Sequence, residues 1–185
     1  MLDDIIISIF AIGLIVSVAP IIYMSVKVKS RYSIRSLLLI YAFFSLAFLS
    51  GLFSFISEAS MDLIAMFEAL AFFLIYYNDM RNSIFLSAFA FGAVSDVFLV
   101  LSLYFVAYDL LIFYRKRNGK YSRSIFTSFL LFFFSILIMI INTVLLIKIL
   151  YGISTILLVL GVLEFSMPVY RVLKSDRNEE IPNTD

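Results

Sequence analysis

The sequence predicts an all-α polytopic membrane protein of seven transmembrane helices. Three observations carry this: an apolar composition, a succession of runs long enough to cross a bilayer, and a one-sided distribution of basic residues. Of 185 residues, 63% are hydrophobic and 15% are charged, and the mean hydropathy is +1.08. Soluble domains carry about 25% charge, and a chain this short has too much surface for its volume to hide so much apolar area from water. Net charge is only +1, which gives no basis for a nucleic-acid partner; the bilayer is the partner the composition implies. The start, Met1-Leu2-Asp3-Asp4, is acidic where a signal peptide needs a basic region.

A crossing helix needs about 20 mostly apolar residues. Runs of this kind lie at roughly 5–26, 35–57, 60–78, 124–148 and 152–172. The stretch 82–114 is also apolar but is interrupted by Ser95-Asp96. As one helix it would be about 50 Å long, too long for a hydrocarbon core of about 30 Å; as two it makes a pair of short spans, about 25 Å each, which local thinning of the bilayer accommodates. Charge decides between them. With a turn near Ser95-Asp96, every Lys and Arg except Lys148 falls on one side of the membrane, in 27–35, at Arg81, in 115–123 and from Arg171 onward. The other side holds Asp3, Asp4, Glu58, Asp62 and Lys148. Basic loops stay cytoplasmic, so seven spans are predicted, with the N-terminus outside and the C-terminus cytoplasmic. Residues 1–174 form one transmembrane domain of the cell membrane, and 175–185, polar and holding Pro182, are expected to be a disordered tail.

The two ends of the chain share a plan: span, basic loop, span, short outer turn, span. Arg31-Tyr32-Ser33 returns as Lys120-Tyr121-Ser122, and Phe43-Phe44-Ser45 as Phe133-Phe134-Ser135. A single helix at about 82–97, placed between repeats at 5–78 and 98–173, gives both repeats the same orientation. The predicted architecture is therefore a 3+1+3 parallel repeat about an axis along the membrane normal.

This architecture resembles the SWEET / PQ-loop (MtN3) transporters. Val16-Ser17-Val18-Ala19-Pro20 is similar to the stretch that leads into that family's Pro-Gln motif, and Lys29-Ser30 with Ser33 to its short Lys-Ser loop. Gly51, the run Leu74-Ile75-Tyr76-Tyr77, and Leu160-Gly161…Glu164 followed by Tyr170-Arg171 also fit. The chain departs from the pattern at Ile21, which replaces the Gln, in lacking a Pro in span 5, and in having no Trp. The resemblance implies facilitated movement of a small polar solute through a central cavity between the three-helix units, with Ser154 near the family's binding position in the last span. Residues 27–77, with Arg35 and Glu68, also resemble the small antiporter-like subunit of respiratory complex I, a likeness that the rest of the chain does not continue.

An ionisable side chain inside a bilayer costs about 2.5–3.5 kcal/mol on insertion scales and suggests a function by default. Glu68, midway along span 3, has no local charge partner; the nearest charges in sequence, Asp62 and Asp79, are also acidic and lie near the ends of the span. Either another span supplies a partner or the carboxyl holds a proton. The functional reading is a substrate or proton site; the structural one is a neutral carboxyl bonded to a Ser or a backbone carbonyl. Glu164, in the last span, invites the same pair of readings and would face Glu68 across a shared cavity. Asn142, in the outer half of span 6, and Ser154 complete the candidate binding set. Pro20 removes a helix hydrogen bond and is a candidate hinge. Asp109 is expected to pair with a basic residue at the cytoplasmic end, and Asp96 to end a helix among headgroups; both are structural in the first instance.

With no Cys, His or Trp, the chain has no means to hold haem on His, an iron–sulfur cluster or a Cys/His zinc site, nor to build a His-activated nucleophile. No cofactor, no metal and no catalytic residue is expected. The carboxylates are joined by no motif, so the leading expectation is a transporter of a small solute. The alternative is a non-catalytic accessory subunit of a membrane complex or a seven-helix sensory module. Either allows a homo-oligomer or a membrane-complex partner.

Overall fold

A computed structural model describes residues 2–27, 32–55, 59–80, 95–115 and 122–179. Among them are six helices: α1 (Leu2–Lys27), α2 (Tyr32–Phe53), α3 (Ala59–Met80), α4 (Ser95–Arg115), α5 (Ser122–Leu145) and α6 (Lys148–Glu179). Four are long and apolar enough to cross a membrane, over Leu2–Val26, Arg35–Phe53, Arg123–Leu145 and Lys148–Arg171. The chain is thus an all-helical protein compatible with an integral membrane location. Its outward residues agree: Ile15, Val26, Leu111 and Val144 are all at least 60% exposed, which lipid tolerates and water does not. The linker helix expected at about 82–97 falls mostly outside the described residues.

Each helix packs against its neighbours in sequence, and α6 closes back on α1. The described helices therefore form a ring. Contacts fix their directions. Ser45 meets Ser17 at 2.9 Å, and Phe10 meets Phe48 with ring centroids 6.4 Å apart, so α1 and α2 are antiparallel. The same holds for α5 and α6, where Ser135 donates to the Ser154 carbonyl oxygen at 2.7 Å and Ser124 to Glu164 at 2.7 Å. In contrast, α1 and α6 are parallel, linked by Asp3–Lys148 (2.9 Å) at one end and Tyr23–Tyr170 (5.0 Å) at the other. Helices α3 and α4 are parallel too: Phe73 meets Phe105 and, three residues further along both, Tyr76 meets Tyr108. Tyr114 at the end of α4 lies against Phe126 at the start of α5. Met80 and Ser95 consequently lie at opposite ends of the ring.

Aromatic side chains fill the middle. Phe44 of α2 stacks on Phe132 of α5 (5.6 Å, 21°), and Phe72 of α3 packs edge-on against both. Nearer the Tyr170 end, Phe165 of α6 packs against Tyr41 of α2 and Phe129 of α5. Each cluster thus takes one ring from α2, one from α5 and one from a third helix, α3 or α6. Such offset and edge-to-face pairs add about 0.5–1.5 kcal/mol each beyond their burial. Close packing requires Gly at three positions, since a Cβ on Gly13 would enter the ring of Phe48, one on Gly51 the ring of Phe10 and one on Gly161 the ring of Phe132.

Two boundaries differ from the sequence expectation. The outer turn between the last two helices lies at Leu146–Ile147, not at 148–152, so Lys148 opens α6 instead of closing α5. Leu146 takes a left-handed conformation (φ 52°), and its N–H bonds the Asn142 carbonyl oxygen at 2.8 Å, which is the αL way of ending a helix. Nothing in Leu145-Leu146-Ile147 marks a turn by composition. At the other end, α6 continues to Glu179, beyond 175, where a disordered tail is expected: Ser175-Asp176-Arg177-Asn178-Glu179 holds neither Gly nor Pro, so nothing stops the helix until Pro182 nears.

Candidate functional site

The apolar periodicity of α3 that buries Ile64, Ala65, Ala69 and Phe72 carries Glu68 inward with them, since residues three and four apart share a helix face. Glu68 is 6% exposed and lies in the half of the bundle nearer Asp3. It lines a small cavity together with Phe10 of α1, Ser135 and Met139 of α5, and Tyr151, Ser154 and Thr155 of α6. The cavity measures about 10 Å³, the room of a single water. Its walls come from both ends of the chain, α1 and α3 on one side and α5 and α6 on the other.

The hydroxyls here are largely committed. Ser135 donates to the Ser154 carbonyl oxygen at 2.7 Å. Ser154 donates to the Tyr151 carbonyl oxygen at 2.8 Å, with Met139 Sδ 3.6 Å away. Thr155 donates to that same carbonyl oxygen at 2.8 Å. Ser54, at the end of α2, donates to the Gly51 carbonyl oxygen and stands beside the Tyr151 ring hydroxyl, which also feels the Glu68 carboxyl electrostatically. Among the described residues no hydrogen bond or ion pair ties down Glu68.

The structure brings two of the sequence candidates, Glu68 and Ser154, to one cavity. Glu164 does not join them. It lies toward the Tyr170 end, half-buried, and accepts a hydrogen bond from Ser124 at 2.7 Å, so the shared cavity expected for the two glutamates is not formed. The reason is register: α3 and α6 run the same way, and the residues of α6 level with Glu68 are Tyr151 to Leu158, well before Glu164. Asn142 sits one turn beyond Met139, near the Leu146 turn, and its side-chain oxygen is buried without a hydrogen bond among the described residues; it does not line the cavity. Pro20 is buried inside an unbroken α1. Asp109 is fully buried in α4, within electrostatic range of Tyr76. Asp96 is the second residue of α4, and its side chain falls outside the described ones.

Ser135, Met139, Tyr151 and Thr155 were not legible as site residues. Each is ordinary in a membrane helix, and only the antiparallel register of α5 and α6 sets them opposite Glu68. Among the described residues, no three of His, Cys, Asp or Glu gather as a multivalent metal site would require. No protein-family model matches the chain, and no curated protein or solved structure matches it.

Proposed function

We propose that this protein is a seven-span transporter of a small polar solute, SWEET-like in build, with Glu68 as a polar site on its route. The observation that carries this reading is the cavity at the junction of the two halves, where a buried carboxyl meets four hydroxyl side chains. An accessory subunit has no need of a polar cavity across that junction, and buried polar groups in membrane helices mark solute or ion pathways. The seven-span plan draws support from the parallel run of α3 and α4. Because Met80 and Ser95 lie at opposite ends, the 14 residues from 81 to 94 join one end of the ring to the other. Helices α1–α3 and α4–α6 then have the same sense, as a 3+1+3 parallel repeat requires.

One observation favours the alternative of a non-catalytic subunit or sensory module. The stacked rings of Phe44, Phe72 and Phe132 close the middle of the ring, and a solute passing through must part them. Uptake into proteoliposomes separates the readings. With a panel of sugars, amino acids and organic acids, the transporter reading expects saturable uptake of at least one class, reduced at least tenfold by Glu68→Gln at equal reconstitution. Uptake equal to that of empty vesicles for the whole panel would leave the accessory reading standing.

Topology is tested apart from transport. The chain has no Cys, so single cysteines at Asp3, Asp96, Gly119 and Asn178 report cleanly to an impermeant thiol reagent. Labelling of positions 3 and 96 alone from outside is the expected result; labelling of 119 without 96 would mean that 82–114 crosses once and that the repeat fails.

A further inference from the structure

We infer that the Glu68 cavity is a site for a dehydrated monovalent cation of about the size of a water molecule, bound as the solute's partner or ahead of it. The inference rests on the transporter reading for its role, and on the cavity alone for the binding.

Hydroxyl hydrogens set the character of the wall. Ser135, Ser154 and Thr155 each have one, and each is spent on a backbone carbonyl oxygen, at 2.7, 2.8 and 2.8 Å. A hydroxyl whose hydrogen is committed offers only lone pairs to whatever else it faces. Glu68, ionised, is an acceptor with no hydrogen to give, and Met139 Sδ is a weak acceptor. The Tyr151 hydroxyl is the one remaining donor among the polar groups of the wall, and Glu68 lies within its electrostatic range. The cavity is therefore strongly accepting. A neutral polyol or an anion needs several donors where this wall offers only the Tyr151 hydroxyl, whereas a bare cation needs oxygen lone pairs and nothing more.

Charge and size narrow the occupant. One carboxylate balances one positive charge. Calcium and magnesium sites are built from several carboxylates or keep several waters, and the described residues gather no second acid here. A volume of about 10 Å³ admits one water-sized particle, so a hydrated ion does not enter intact. Membrane proteins hold sodium or potassium by protein oxygens that replace the hydration shell, and the hydroxyl and carboxylate oxygens here offer such a set; ammonium is close to potassium in size, has the same charge and donates all its hydrogens.

Desolvation supplies the driving force for occupancy. An ionised carboxylate with neither partner nor water is costly in an apolar interior, and a cation beside it removes that cost. The titratable groups lining the cavity are Glu68 and Tyr151 alone; α1 contributes Phe10 and α5 contributes Ser135 and Met139, none of which carries charge. A proton on Glu68 and a cation beside it are thus direct competitors.

The test is equilibrium binding to the full chain in detergent, with no solute present. Thermal unfolding is followed in sodium, potassium, ammonium and choline chlorides at matched ionic strength and mildly alkaline pH. The expected result is a saturable rise in Tm of several degrees with at least one small cation relative to choline. Glu68→Gln abolishes the shift, and Thr155→Val, which keeps the shape and removes one oxygen, raises the apparent Kd at least threefold. Equal Tm in all four salts overturns the inference, as does a shift that survives in Glu68→Gln or one that calcium produces at lower concentration than any monovalent ion. Should Glu68→Gln not fold, the Thr155→Val titration decides alone. Absence of uptake leaves this result untouched, so the cation site and the transporter reading fail separately.

Discussion

Glu68 and Glu164 are the two carboxylates that lie deepest in the apolar sequence of their helices, and their surroundings are opposite. Glu164 is half-buried and has a serine hydroxyl from the next helix pointed at it. Glu68 is sealed, and the hydroxyls around it have turned their hydrogens to the backbone. The first carboxylate accepts a hydrogen bond from the protein; the second is buried with no hydrogen bond among the described residues. Equal cost by position does not make equal function. The sign of the neighbouring dipoles decides, and that is set by which way each serine and threonine bonds.

The largest effect that would break this comparison is functional. Glu68→Gln should lower proteoliposome uptake at least tenfold, while Glu164→Gln stays within about twofold of wild type; similar losses in both would mean that the two acids share one route. Next come the glycines. Gly51→Val forces Phe10 out of the wall of the Glu68 cavity, and Gly161→Val displaces Phe132 one turn from Glu164. Overpacking of this kind costs about 1–3 kcal/mol, read as lowered Tm in detergent. The two should differ in kind: the Gly51 variant alone should also alter the cation response, and an unchanged response in that variant would detach Phe10 from the site. Smaller is Ser124→Ala, which removes the hydrogen bond to Glu164. Hydrogen bonds between membrane helices average about 0.6 kcal/mol, so a Tm change at the edge of detection with uptake unchanged is expected. The smallest is Asp3→Asn. Its ion pair with Lys148 is solvent-exposed on both sides and is worth about 1 kcal/mol or less; added salt should erase even that difference between variant and wild type.

The helices were legible because apolar length is a one-dimensional property. Runs such as 5–26 and 124–148 needed no tertiary information, and the break at Ser95-Asp96 announced the start of α4. Glu68 was legible for a related reason: an acid with only alanines, Met and Phe beside it stands out within its own helix. Leu146 was not, because its left-handed turn carries no Gly, Asn or Pro signal; the chain turns there because the neighbouring helices require it. Ser154 was singled out from the sequence, but its place in one cavity with Glu68 and Ser135 was hidden more deeply. Ser135 and Ser154 are 19 residues apart on two different helices, and their meeting depends on the antiparallel register of α5 and α6, which no single helix encodes. The supposed meeting of Glu68 with Glu164 failed on the same ground, since offset along parallel helices is a property of pairs.

The closure of α6 on α1 has a consequence for how this fold tolerates loss. In an open row of helices, removing the last one bares a single neighbour and leaves a shorter row. In a ring of the described helices there is no last one: deleting α6 uncovers α1 and α5 together, takes away Tyr151, Ser154, Thr155 and Leu158 from around Glu68, and strands Phe129 and Tyr41 without Phe165. The chain is therefore mechanically indivisible. Helices α1 and α6, far apart in sequence, are neighbours in space.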